Sequence, residues 1–294
     1  MGARDPLSDA TTLSGLGGDT RLYELTLRDF DRVRRIISEL AGIELNASKQ
    51  NMVYSRLSRR LRASGIETFS HYLDRLENDA PFRTEERQEF VNALTTNLTS
   101  FFREQHHFPV LAELLKHSPA AKPPRIWCAA ASTGEEAYSI AITAIEAAGQ
   151  TGAARVLATD IDTQVLACAG RGVYGAQAVQ ACGEARMRRF FLRGTGSNSG
   201  MVRVRPEVAR MVEFGQMNLL EPDWPLLNRF GTPVDAVFCR NVMIYFNRDT
   251  QRTLLGRIAA VLRPGGLLFA GHSENFTDCR EWFELRGKTV YERL

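Results

Sequence analysis

Apolar residues recur at helical spacing from Thr26 onward: Leu27, Phe30, Val33, Ile37 and Leu40 form one stripe, and Gly42 stands where a helix C-cap belongs. A second helix is expected from about Asn46, with Val53, Leu57 and Leu61 facing inward, and a third over 68–76, followed by a turn at Pro81. After Pro123 and Pro124 short strand-like runs alternate with helical stretches, the pattern of a parallel sheet with helices on both faces. Strands are expected at 125–131, 155–159 (ending on Asp160), 211–214, 234–239, 267–270 after a turn at 263–266, and briefly at 289–291, with a helix over 135–148 after the first strand. One stretch breaks the alternation. The run GTGSNSG, followed by alternating apolar and basic residues over 202–205, reads as a small β insertion at about 193–210. Residues 1–20 hold few large apolar side chains to offset the entropy of ordering, so a flexible tail is expected there. The expected division is a tail at 1–20, a small all-helical domain at 21–82 and an α/β domain at 83–294.

Composition narrows the picture. The chain is 294 residues long and 44% hydrophobic, enough to bury two cores, and its 37 Lys and Arg against 34 Asp and Glu leave a net charge of +3. That balance is too mild to argue for nucleic acid, so any basic surface is local. Residues 28–62 concentrate it, with nine basic against four acidic side chains. Lys49, Arg56, Arg59 and Arg60 fall within an arc of roughly 100° on the second helix. This face is either a solvated helix surface or a docking surface for an acidic partner. Five cysteines without metal-ligand spacing point to reduced thiols, and no metal is expected. With no apolar run near the ~18 residues of a membrane span and no signal-peptide pattern, a soluble, cytoplasmic protein is expected, working as a monomer.

Candidate chemistry lies at the carboxyl ends of the strands, where open α/β sheets bind ligands. Three ends bear suitable polar groups: 132–135, Asp160 and Asn218. Asp160 ends its strand where a carboxylate can accept from both hydroxyls of a ribose, or simply form a turn. The first loop, AAASTGEE, lacks the GxGxxG of a dinucleotide cradle. Its Ser/Thr pair and acidic residue, Ser132-Thr133-Gly134-Glu135, suit the ammonium of a methyl donor better than a diphosphate, which favours S-adenosylmethionine over NAD.

Five segments in order carry a more specific signal: TTNLTSFFRE (95–104), AAASTGEEAYSIAI (129–142), ATDIDTQVL (158–166), FCRNVMIYF (238–246) and GLLFAGHSE (266–274). Together they strongly resemble the CheR-type chemotaxis receptor methyltransferases, over almost the whole chain. The resemblance implies a class I Rossmann-like S-adenosylmethionine-dependent methyltransferase domain preceded by a helical domain. It implies that Asn97, Thr99, Arg103, Glu135, Asp160, Asn218, Leu219, Arg240 and Asn241 line the cofactor site, with Tyr245 beside the transferred methyl. The acceptor it implies is a glutamyl side chain on acidic cytoplasmic helices of chemoreceptors, giving a methyl ester in adaptation and S-adenosylhomocysteine as product. The insertion, with Gly194, Gly196 and Gly200, resembles the element by which some relatives hold a receptor's C-terminal peptide, through strand addition. Ala137 departs from the family, whose members often have proline there, a residue tolerated in a first helical turn.

A sulfonium methyl is already activated and a glutamate of reference pKa about 4.3 is already an anion, so no general base is required. Tyr245 is expected to aim one carboxylate oxygen, and Arg103 to supply positive potential. Two other readings are weighed: the same fold acting on a small molecule or nucleic acid, and a non-catalytic signalling module.

Overall fold

The computed structural model describes residues 22–117 and 122–294; the tail expected at 1–20 lies outside the described residues. Four helices build the first unit: α1 (Leu27–Ala41), α2 (Gln50–Ser64), α3 (Phe69–Asn78) and α4 (Ala80–Leu94). The stripe of α1 buries Phe30, Val33 and Ile37 as the spacing predicts, whereas Leu27 at its start is exposed. Thr26 and Asp29 form a reciprocal capping box, the threonine hydroxyl accepting the Asp29 N–H at 3.1 Å. Gly42 closes α1 in the left-handed region at φ 68°, and an added Cβ would stand 2.6 Å from Leu220. Glycine is needed there both for the turn and for seating this unit against the sheet domain.

The helical unit does not end at 82. Pro81 sits in the first turn of α4 rather than closing the domain, and Phe82, Phe90, Val91 and Leu94 pack into the same core as α1–α3. α4 also buries Glu86 and Asn92, which blurs its apolar stripe and hides it from a periodicity reading. Glu86 accepts from Tyr72 Oη at 2.7 Å and pairs with Arg60 at 2.7 Å. Arg60→Ala leaves that carboxylate buried with only the tyrosine hydroxyl, so we expect a loss of about 3 kcal/mol, read as a lower urea midpoint at unchanged slope.

A short helix α5 (His107–Lys116) leads into the second unit, which runs β1 (Arg125–Cys128), α6 (Glu135–Ala148), β2 (Arg155–Asp160), α7 (Thr163–Arg171), β3 (Val173–Gly175), α8 (Glu184–Phe190), β4 (Phe191–Arg193), β5 (Met201–Val204), α9 (Pro206–Ala209), β6 (Val212–Gln216), α10 (Pro225–Phe230), β7 (Val234–Cys239), α11 (Arg248–Val261), β8 (Leu262–Ala270), β9 (Phe283–Gly287) and β10 (Val290–Arg293). Seven strands form one sheet in the order β6-β2-β1-β7-β8-β10-β9; the first five run parallel and β10 is antiparallel to both neighbours. Two apolar clusters cover its two faces, which explains the near-continuous hydrophobicity of β1, β2 and β7. Strand order reverses between β1 and β7, and that reversal opens a crevice at their carboxyl ends.

Three details differ from expectation. Regular pairing of β1 stops at Cys128, although the buried Ala129 and Ala131 still donate their N–H groups to the carbonyls of Phe238 and Thr159 at 2.8 and 2.9 Å. The 263–266 turn is a bulge inside β8, where the pairing to β7 moves from Val234–Leu262 to Ala236–Leu267. The insertion is a separate three-stranded sheet, β3-β5-β4, so it begins at Val173 rather than 193. Its three-residue outer strands are too short to show an alternation.

Candidate active site: a cleft between the helical unit and the sheet

The crevice is roofed by the helical unit. Ala41, Ile43, Leu45, Lys49 and Met52 face the strand ends across a cleft of about 1210 Å³, counted out to its open mouth. Asn97, Thr99, Arg103, Asp160, Asn218, Leu219, Arg240, Asn241 and Tyr245 all line it.

Residues 95–99 cross the top of the sheet as an irregular strap. Thr95 Oγ1 and Asn97 Nδ2 donate to Asp162 at 2.6 and 2.8 Å, and Ser132 Oγ donates to the Asn97 carbonyl at 3.1 Å. Phe101 and Phe102 bury themselves behind the strap without starting a helix, which begins only at His107. Four non-glycine residues around the cleft hold a positive φ: Phe102, Glu104, Ser132 and Asn241. Backbone strain of this kind persists only where the surroundings over-determine it.

Asp160 is buried at the tip of β2, accepting the N–H of Ser132 at 2.7 Å and of Asp162 at 3.0 Å. Burial, only partly offset by these bonds, pushes its carboxyl up to about 6. A carboxylate has about four acceptor positions, so it can still accept from a hydroxyl in the cleft. Donors from a bound ribose favour the ionised form, which gives a sign for pH dependence. Affinity for S-adenosylhomocysteine is expected to hold above pH 6 and to weaken about tenfold per unit below it, measurable by calorimetry from pH 7.5 to 5. Stability moves oppositely. The folded state binds this proton more tightly than the unfolded chain, so Asp160's contribution is lost as pH rises from 3.8 through about 6.

Arg240, at the end of β7, organises the floor. Its guanidinium pairs with Glu136 at 2.7 Å and Glu104 at 3.2 Å, and donates to the Arg103 carbonyl at 2.7 Å. Burial would raise the Glu104 carboxyl, but Arg240 and the bonds from His272 outweigh it and hold it at about 2. His107, buried beside the same guanidinium, falls to about 4 and is neutral at pH 7. Glu104, His106 and His107 bring potential ligand atoms within 4.8 Å of one another, yet Arg240 already supplies the cation that this trio faces.

Asn241 sits at φ 57° in a loop held by Glu274. This buried carboxylate accepts four backbone N–H groups, from Gly271 (2.5 Å), Asn241 (3.0 Å), Val242 (3.0 Å) and Met243 (2.8 Å). Gly271 lies so close that a Cβ there would meet Asn241 Nδ2 at 2.3 Å. The loop continues as a single turn, Met243–Tyr245, which carries Tyr245 to the cleft wall.

One expected site residue is placed differently, and another is held by the helical unit. Glu135 does not line the cleft; its carboxylate accepts from Thr133 Oγ1 at 2.6 Å, and the neighbouring Glu136 faces inward instead. Asn218 lines the cleft, its amide donating to the Leu40 carbonyl at 2.9 Å and accepting the Leu220 N–H at 3.0 Å. The basic face of α2 is likewise divided. Arg60 is held by Glu86 and Glu89, and Arg56 donates to the carbonyls of Thr95 and Ala93 at the end of α4. Lys49 and Arg59 stay exposed, with no ion pair among the described residues. Sequence reasoning gave no role to Glu104, Glu136 or Glu274, although all three stand inside the segments that carried the resemblance.

Residues 97–292 match the family described as "CheR methyltransferase, SAM binding domain", and residues 28–95 match "CheR methyltransferase, all-alpha domain". The chain belongs to the CheR methyltransferase family. It is 51% identical over 271 residues to "Chemotaxis protein methyltransferase 2" of Pseudomonas aeruginosa, covering 92% of this chain and 94% of the relative. To the "Chemotaxis protein methyltransferase" of Klebsiella aerogenes it is 52% identical over 287 residues (97% and 96%), and to that of Escherichia coli 48% over 273 residues (92% and 93%). The resemblance read from the five segments therefore holds, and with it the fold, the S-adenosylmethionine cofactor and methyl transfer in chemotaxis. The boundary of the all-alpha domain at 95 agrees with α4 belonging to the helical unit.

The residues present fit that cofactor. Asp160 retains acceptors for ribose hydroxyls, and Ala129, Met217, Leu219 and Val242 give apolar walls for a base. No helix among the described residues is long and apolar enough to cross a membrane.

Proposed function

We propose that this CheR methyltransferase esterifies glutamate side chains on acidic cytoplasmic helices of chemoreceptors. One observation supports this most: the cleft offers cations without a free base. No histidine is among its lining residues, and of the three lining carboxylates Glu136 is paired with Arg240, Asp160 is bound to two backbone N–H groups and Glu44 accepts from the Ser38 hydroxyl at 3.0 Å. Lys49 and Arg103, by contrast, have no carboxylate partner among the described residues; Arg103 donates only to the Leu98 carbonyl at 2.8 Å. Such a wall suits an acceptor that arrives already anionic and needs no deprotonation.

S-adenosylmethionine supplies a methyl activated by its sulfonium and leaves as S-adenosylhomocysteine. The chain's own residues then have to orient the acceptor. In this reading Tyr245 donates a hydrogen bond that aims one carboxylate oxygen at the methyl carbon, and Arg103 favours the incoming anion without gripping it as an ion pair. Lys49 and Arg59 steer the acidic helix toward the mouth, while Arg56 and Arg60 act within the helical unit. The glycines of the insertion, Gly194, Gly196 and Gly200, shape the connection between β4 and β5, and the edges of that small sheet suit a tethered receptor peptide.

The test is transfer of labelled methyl to a receptor cytoplasmic fragment followed by alkali. Label released as methanol is expected, as from an ester; alkali-stable label excludes a carboxylate acceptor. The same assay with Arg59→Glu is expected to show a several-fold loss at low salt that shrinks at high salt. A loss independent of salt removes the steering role.

A further inference from the structure

Two exposed aliphatic side chains stand on the two segments that wall the cleft. Leu98 is 78% exposed and itself lines the cleft. Ile244 is 49% exposed, within a segment whose Asn241, Val242, Tyr245 and Phe246 line the cleft. Single exposed aliphatics are ordinary on protein surfaces, so exposure alone says little. The backbone beneath these two is what sets them apart. The Leu98 carbonyl accepts from Arg103 at 2.8 Å, and the preceding Asn97 is tied to Asp162 at 2.8 Å and to Ser132 at 3.1 Å. Beside Ile244, Met243 donates its N–H to Glu274 at 2.8 Å, the Tyr245 carbonyl accepts the Glu44 N–H at 2.8 Å, and Gln251 donates to the Met243 and Phe246 carbonyls at 2.9 Å. A loose loop can fold an apolar side chain inward. These two loops are fixed, and they hold a leucine and an isoleucine in water.

We infer that Leu98 and Ile244 form an apolar rim that seats the apolar neighbours of the target glutamate on an amphipathic acidic helix. This rests on the glutamate reading above and adds a specificity determinant to it. A helical glutamate shares its face with the residues three and four positions away, so a helix that inserts its carboxylate must lay those neighbours on the rim. Acidic flanks then meet Lys49 and Arg59, and apolar ones meet Leu98 and Ile244. A small free carboxylic acid would leave both side chains wet.

The test compares Leu98→Ser, Ile244→Ser and the double variant with the unaltered enzyme. The double variant is expected to raise KM for a receptor cytoplasmic fragment about tenfold, as loss of two partly buried aliphatic contacts allows, with kcat and S-adenosylhomocysteine affinity within about twofold. Fragments with serine at the apolar positions three and four residues from the methylated glutamate should show the same KM rise with the unaltered enzyme. They should show little further rise with the double variant, the coupling expected of groups in contact. An unchanged KM, fully additive losses, or weakened S-adenosylhomocysteine binding overturns the rim. If the unaltered enzyme leaves no alkali-labile methyl on the fragment, the glutamate reading itself fails. Equal esterification by the unaltered and double-variant enzymes sinks only the rim.

Discussion

Tyr245→Phe is expected to lower turnover about 100-fold while changing S-adenosylhomocysteine affinity less than about threefold, the pattern of a lost orienting donor rather than of a lost binding contact. The ring packs against the cores of both units, so phenylalanine keeps the shape and deletes only the hydroxyl. Arg103→Ala is expected to fall by a similar factor for a different reason. It removes the cation from the wall and frees the Leu98 carbonyl, so KM for the receptor fragment rises together with the fall in kcat. Single-turnover transfer and calorimetry separate the two effects. Tyr245→Phe with unaltered turnover removes the tyrosine from the chemistry.

Glu274→Gln is expected to have the second large effect, although Glu274 is not among the residues lining the cleft. Its carboxylate accepts from Gly271, Asn241, Val242 and Met243, two donors to each oxygen. A glutamine amide turns an NH2 toward one pair of these donors, leaving two buried N–H groups unpaired at about 1–3 kcal/mol each. The loop that sets Asn241 at positive φ and delivers Tyr245 then loosens, so turnover is expected to drop about 100-fold, with roughly tenfold weaker S-adenosylhomocysteine binding. Thermal unfolding with and without the ligand distinguishes a loosened loop from a failed fold. A glutamine variant with normal turnover would show that the loop holds its shape without the clamp.

Much of this was legible in the chain because each feature has a local cause. Asp160 ends a run of apolar residues, and a carboxylate in that place can only be a turn or a ligand group. The stripe of α1 and its Gly42 cap are likewise written in a short window. What was not legible depends on contacts distant in sequence. Glu135 and Glu136 are adjacent in the first turn of α6, about 100° apart on the helix, so only one faces the cleft; the choice is settled by Arg240, about a hundred residues away. Asn218 lines the cleft, but its amide is held by the Leu40 carbonyl, an acceptor of the helical unit 178 positions earlier. The basic arc of α2 was correct as geometry, but α4 was not foreseen, and α4 supplies Glu86, Glu89 and the carbonyls that take up Arg60 and Arg56. One unread helix thus moved both a domain boundary and half of a surface. It was unread because two of its buried positions are polar.

Arg240 has a broader lesson for substitutions in this site. Its charge is matched by Glu104 and Glu136, and its guanidinium also supports the Arg103 backbone. Changes at any of the four are therefore expected to be non-additive.

The most direct measurement is a crystal structure of the enzyme with S-adenosylhomocysteine. The ligand is expected between the helical unit and the carboxyl ends of β1 and β7, with its ribose hydroxyls on Asp160 and its sulfur toward Tyr245. Density for the ligand anywhere else, or a ribose that leaves Asp160 untouched, contradicts this placement and the chemistry drawn from it.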